Sequence, residues 1–180
     1  MGEINRAAWQ ARYPDLTGKV AVVTGTSSVL VHVMRELCRN RVTTALVVED
    51  RALVSAATDY ADELDLASLG IVADPSQRET WTRIAPHIEQ RLGPIDIAVV
   101  IAPEATRMLV ATVLMPDMAA RRHGVIVEAG AKVAARDMPD GLRHRSVTGG
   151  PGASPTDLAA AVTLCASDVL TASRVAIVLD

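Results

Sequence analysis

A doubly wound α/β fold with a parallel sheet is what this sequence predicts, on three observations. Residues 20–38 read as an apolar strand, Val20-Ala21-Val22-Val23, a turn, Thr24-Gly25-Thr26-Ser27-Ser28, and a helix with apolar residues at Leu30, Val33, Met34, Leu37 and Cys38. Such a strand-turn-helix unit opens many α/β domains. Strand and helix patterns then alternate to the end of the chain, which implies parallel pairing, right-handed crossovers and helices on both faces. Composition agrees: 49% of the 180 residues are hydrophobic but only 2% aromatic, with no Phe. The core must be built from Ala, Val, Leu and Ile, as suits strands covered on both faces.

The elements follow in order. Residues 1–17, with Trp9 and Tyr13, read as an N-terminal arm or short helix outside the first strand. After the opening unit, residues 43–48 form a second strand ending in Glu49-Asp50-Arg51, and residues 52–64 a helix. Residues 69–73 are a short third strand broken by Asp74-Pro75. Ser76 and Glu79 have capping-box spacing for a helix with Trp81, Ile84, Ala85, Ile88 and Leu92 on one face. Pro86 is a kink candidate in that helix, and Gly93-Pro94 ends it. The apolar run 95–102, interrupted only by Asp96, marks a fourth strand buried on both faces. Residues 105–122 give a helix with Leu109, Val110, Val113 and Leu114 inward and Pro116 as a kink or break; residues 124–129 are the fifth strand.

Residues 130–154 lose periodicity and gather Gly141, Gly149, Gly150, Pro151 and Gly152, the pattern of a long loop, functional or mobile. Ser154-Pro155-Thr156-Asp157 starts another helix, with Ser as cap, Pro first and a carboxylate in the first turn. Leu158, Ala161, Val162 and Cys165 make its buried stripe, and residues 174–179 are the last strand. No repeat or boundary divides residues 1–180, which read as a single domain.

A net charge of −3 gives no reason to expect nucleic acid or an anionic membrane as partner. Cys38 and Cys165 both fall on apolar helix faces and read as buried thiols, neither disulfide nor metal ligands. No apolar run reaches membrane-spanning length, and residues 1–14 lack the apolar stretch of a signal peptide. The expected location is the cytoplasm.

Several stretches, in order, resemble the short-chain dehydrogenase/reductase family. Leu16-Thr17-Gly18-Lys19-Val20-Ala21-Val22-Val23-Thr24-Gly25 looks like that family's first strand and the start of its TGxxxGxG turn. Asp74 matches the residue that holds the adenine end of the cofactor. Gly93-Pro94-Ile95-Asp96-Ile97-Ala98-Val99, then Met115-Pro116-Asp117-Met118 with Gly124-Val125-Ile126-Val127, look like the approaches to the fourth and fifth strands. Ser154 to Asp168 resembles the helix before the final strand. The resemblance implies a Rossmann-like sheet.

It also implies a truncated and degenerate member. The second and third glycines of the turn are Val29 and Val31, and the family's NNAG is Val100-Ile101-Ala102-Pro103. Branched side chains there oppose close approach of a pyrophosphate. The only tyrosines are Tyr13 and Tyr60 and the only lysines Lys19 and Lys132, so no YxxxK exists, and the catalytic Ser corresponds to Ala131. Without that Tyr and Lys the proton path for hydride transfer is gone. Segments also look absent after Pro103 and between Ala134 and Ser154, so that the last strand is expected beside the fifth, completing about six strands in the order 3-2-1-4-5-6.

The crevice where the first and fourth strands part is the default ligand site, lined by Gly25, Thr26, Ser27, Ser28, Ala102, Pro103 and Glu104. A plainer alternative is that the three hydroxyls only cap the helix. Glu49 or Asp50 is placed for a ribose diol and Asp74 for the adenine end; the alternatives are solvated strand ends and a turn residue. His144, between Arg143 and Arg145, stands near where the missing Tyr would fall and is an acid or base candidate, against a solvated loop histidine. Glu128 with Lys132 is a candidate acid–base pair, against a surface ion pair. His32, His87 and His123 lie at no ligand spacing, so no metal is expected.

The functional expectation is a pseudoenzyme that binds a small molecule or a partner subunit, either as a homo-oligomer or as a hetero-oligomer with an active relative. The alternatives are a non-redox enzyme of cyclase, isomerase or lyase type using the crevice, and residual NAD(P)-dependent reduction. No cofactor is expected, with NAD(P) the disfavoured alternative. Apolar residues on more than one face of residues 108–118 favour self-association.

Overall fold

The computed structural model describes residues 12–130, 137–149, 153–168 and 174–179. A 3₁₀ turn, Pro14–Leu16, leads into β1 (Val20–Gly25), α1 (Val29–Arg39), β2 (Thr43–Val48), α2 (Arg51–Glu63) and β3 (Ser68–Val72). Next come α3 (Arg78–Leu92), β4 (Ile97–Ile101), α4 (Glu104–Ala120) and β5 (Gly124–Gly130), then β6 (Leu142–Gly149), α5 (Pro155–Ala166) and β7 (Arg174–Leu179). The strands form one sheet in the order β3-β2-β1-β4-β5-β6-β7, every pair parallel.

Alternating side chains on the central strands feed two cores. Ala21, Val23, Ile97, Val99, Val125 and Val127 face α1, α2 and α5, where Leu30, Leu37, Ala57 and Val162 meet them. Val22, Ala98, Val100 and Ile126 face α3 and α4, against Trp81, Ile88, Val110 and Leu114. This is the doubly wound Rossmann-like fold expected from the sequence.

The sheet has seven strands, one more than expected. The extra one is β6, inside the stretch 130–154 that reads as a loop. Its residues pair one for one with β5, Gly124 with Leu142 through Gly130 with Thr148. Arg143, His144 and Arg145 disguise it, because three ionisable residues in a row look solvated, yet His144 and Arg145 are buried. Gly141, just before the strand, sits at φ +84°, where a Cβ would lie 2.3 Å from the Arg122 carbonyl oxygen. The last strand consequently pairs with β6, not with the fifth strand.

Local expectations divide similarly. The cap expected at Ser154 forms, and as a full capping box: its hydroxyl accepts from the Asp157 N–H at 3.1 Å, and its own N–H donates to the Asp157 carboxylate at 3.4 Å. The box at Ser76 does not form, because the cap position of α3 falls one residue later, at Gln77, and Ser76 turns to Asp74. Both α3 and α4 run through their prolines; Pro86 and Pro116 are exposed, so the missing hydrogen bond falls on the solvent side. Of the N-terminal arm, residues 1–11 lie outside the described residues, while Leu16 is fully buried.

The base of the sheet is clipped by Asp168, after α5. Its carboxylate meets Lys19 Nζ at 3.2 Å and also pairs with Arg143, tying α5 to the entrances of β1 and β6. Burial pushes this carboxyl up, but Lys19 and Arg143 outweigh it and the net shift is down. A group lowered on folding adds stability that is complete above its unfolded value and is lost as pH falls through the folded one. Asp168→Asn is therefore expected to destabilise the protein at pH 7 by no more than about 1 kcal/mol, the pair being half-exposed. Urea unfolding should show the gap from wild type closing as pH falls below about 4; a gap unchanged in acid would rule out this ion pair as its source.

Candidate functional site

The crevice opens above the C-terminal ends of β1 and β4, where the chain leaves neighbouring strands in opposite directions. Gly25 ends β1 so close to β4 that a Cβ would lie 2.1 Å from the Ile101 carbonyl oxygen. The next N–H, of Thr26, donates to that same oxygen at 3.2 Å. The glycine is thus required by the neighbouring strand.

The helix start above it is closed on itself. The N–H of Val29 donates to the Ser27 hydroxyl at 3.3 Å, that of Leu30 to the Ser27 carbonyl at 3.1 Å, and that of Val31 to the Ser28 carbonyl at 3.3 Å. Val29 packs against the core. Ser28 occupies the cap position without a side-chain cap bond, so of the three hydroxyls only that of Ser27 caps the helix. These are the donors a pyrophosphate would take at a helix N-terminus. As arranged, all three are engaged within the turn itself.

Two acidic candidates are also engaged. Asp50 caps α2, accepting from the Ala52 N–H at 2.8 Å. Asp74 accepts from the Ser76 hydroxyl at 2.7 Å, the Ser76 N–H at 2.8 Å and Gln77 Nε2 at 3.1 Å. The Ser76 hydroxyl first, then these two N–H donors, hold the Asp74 carboxyl below its usual range. Glu49 is exposed at the end of β2.

The structure brings two other candidates together, Glu128 and His144. Ile126 on β5 pairs with His144 on β6, so Glu128, two residues further, leans over the imidazole on the α4 side. His144 Nε2 lies 3.4 Å from Glu128 Oε2, and Arg107 Nε lies 3.7 Å from the same oxygen. Arg107 Nη1 also donates to the Ala102 carbonyl at 2.8 Å, at the crevice wall. All three side chains are buried, Glu128 completely. The solvated-loop reading of His144 therefore fails, and so does the surface-ion-pair reading of Glu128. Lys132 and Ala131 lie outside the described residues.

Sequence reasoning missed Arg107. Its signal was helical spacing: Arg107 precedes Val110, Ala111 and Leu114 by three, four and seven residues, on the buried face of α4. A carboxylate between an imidazole and a guanidinium can hold or pass a proton. Here the three groups are sealed beneath α4, an Arg107–Glu128 ion pair with the His144 imidazole against it, which makes them a buried polar cluster. Among the described residues, no group of three or more His, Cys, Asp and Glu side chains is placed to hold a metal. Nor is any described helix long and apolar enough to cross a membrane.

With this geometry the fold is that of the short-chain dehydrogenases/reductases. A member from Mycobacterium marinum superposes with a TM-score of 0.78 at 17% identity, over 93% of this chain and 96% of its own. A metagenomic short-chain oxidoreductase in complex with NADP gives 0.74 at 19% identity, over 92% and 99%. The NADH-dependent reductase A1-R′, complexed with NAD, gives 0.77 at 14% identity, over 92% and 96%. No family model and no curated protein matches the sequence.

Removing one partner of a buried ion pair leaves the other charge stranded and costs about 3–5 kcal/mol. Glu128→Ala is expected to fall in that range by urea unfolding, against about 1 kcal/mol for Asp50→Ala, which removes only a helix cap. Equal losses for the two variants would contradict the buried cluster.

Proposed function

We propose that this protein is a binding protein on a dehydrogenase frame, a pseudoenzyme that holds a small molecule or a partner subunit and does not carry out the family's hydride transfer. The observation that carries the reading is the closed start of α1, where the N–H groups of Val29, Leu30 and Val31 are spent on Ser27 and Ser28. The chain's lack of a Tyr-x-x-x-Lys sequence supports it independently. Hydride transfer to a carbonyl needs a proton donor beside the nicotinamide, and no tyrosine in this sequence has a lysine four residues on.

The crevice remains the small-molecule site on this reading, with the exposed hydroxyls of Thr26 and Ser28 and the carboxylate of Glu104 around its mouth. Assembly with a second copy, or with an active relative, fits the exposed Met108 on α4. One observation favours a second reading. The juxtaposition of Glu128 and His144 is an acid–base pair in kind, and a non-redox enzyme would need α4 to move for it to reach the crevice.

The discriminating experiment is a thermal-shift titration with NADH and NADPH. A site of about 10 µM affinity at 1 mM ligand raises stability by about 2.7 kcal/mol, a shift of several degrees. The expected result is no shift with either dinucleotide. A clear shift would overturn the closed-turn argument and return redox chemistry or cofactor sensing to first place.

A further inference from the structure

At the opposite end of the sheet from the crevice, α1 and α2 finish side by side, and two adjoining hollows of about 200 and 130 Å³ lie against their ends. Both are lined by Arg12, Arg39 and Arg41. Tyr13 and Pro14 wall the larger, and Cys38 and Leu64 the smaller. We propose that this arginine-lined cleft binds the phosphoryl group of a small phosphate ester whose apolar body lies against Tyr13 and Pro14.

The first argument is charge. Arg39 is paired with Glu36 at 2.9 Å, while Arg12 and Arg41 have no carboxylate within 4.0 Å among the described residues. Among the described residues, three guanidinium groups thus share one carboxylate, in a protein whose net charge is negative.

The second argument is preorganisation. Arg12 donates through Nη1 to the Arg39 carbonyl at the end of α1, and Arg41 through Nη1 to the Leu64 carbonyl beyond α2, at 3.0 Å. Helix C-termini attract cations, so these carbonyls fix the guanidinium groups without cancelling their charge. Each such bond uses one of five N–H donors, and the rest keep the fork geometry that matches phosphate oxygens. Arg39 is steadied by Tyr60, whose hydroxyl accepts from Nε at 3.3 Å. Much of the side-chain ordering that binding normally requires is therefore complete beforehand.

The third argument is backbone conformation. Arg41 follows the cap residue of α1 at φ +61°. That position usually belongs to glycine or asparagine. An arginine there is held by its carbonyl, which accepts from the Gly18 N–H at 3.0 Å, and by the bond of its guanidinium to the Leu64 carbonyl. The larger hollow has room for a phosphoryl group and a small ring. A phosphate dianion supplies three acceptor oxygens where a carboxylate supplies two.

The test is calorimetry on the full chain at low salt, with phenyl phosphate as probe and inorganic phosphate as the second arm. Saturable binding is expected, several-fold tighter for phenyl phosphate. Arg12→Ala and Arg41→Gly should each weaken it by about tenfold. Arg41→Gly suits the left-handed backbone, so lost binding there is not misfolding, and circular dichroism checks both variants. Arg83→Ala, an exposed arginine on α3, should leave binding unchanged. Three results would overturn the proposal: no saturable binding of either probe, binding unaltered in both variants, or equal affinity for the two probes. The first two would reduce the arginines to helix caps, and the third would remove the apolar body from the ligand.

Discussion

A carboxylate on a strand covered from both sides has to bring its counter-charge with it, and Glu128 brings Arg107. Arg107 comes to it from α4 and His144 from β6, and Arg107 reaches on to the Ala102 carbonyl at the end of β4. One buried charge thereby connects three successive strands and the helix over them. The arrangement stabilises less than an apolar core of the same volume would, but it penalises any movement that parts the groups. The position of α4 over the sheet, and hence of one wall of the crevice, depends on it.

The opposite wall is set by backbone. Gly25 lets β1 press against Ile101, and the hydrogen bonds that follow fold the start of α1 onto Ser27 and Ser28. Backbone donors that a helix N-terminus can offer to an anion are here spent on the protein's own turn. The acidic side chains around it behave likewise, Asp50 capping α2 and Asp74 gathering Ser76 and Gln77. Local satisfaction is the common theme of this end of the sheet.

Most of the framework was legible because its signals are local. The alternating strands and helices, the Ser154 cap and the glycine-bounded β4 each announce themselves within a few residues. What was hidden depends on partners far along the chain. β6 was obscured because Arg143, His144 and Arg145 read as solvent-facing until Glu128 and Asp168 are placed beside them. Arg107 was passed over for the same reason, since a charged residue on an apolar helix face makes sense only with its counter-ion in view. Ser76 offered two competing local bonds, and only the start of α3 decides between them.

The register of the sheet has a consequence for how the chain closes. Gly124 pairs with Leu142, eighteen positions away, while Ala21 pairs with Ile97, seventy-six positions away. Loop-closure entropy grows with the logarithm of the separation, so joining β1 to β4 costs about 1.3 kcal/mol more than joining β5 to β6. The crevice therefore lies on the seam between two halves, residues 20–72 and 97–179, that are each knit by shorter-range pairings. Anything that bridges that seam holds together the two parts of the chain with the greatest entropic reason to separate.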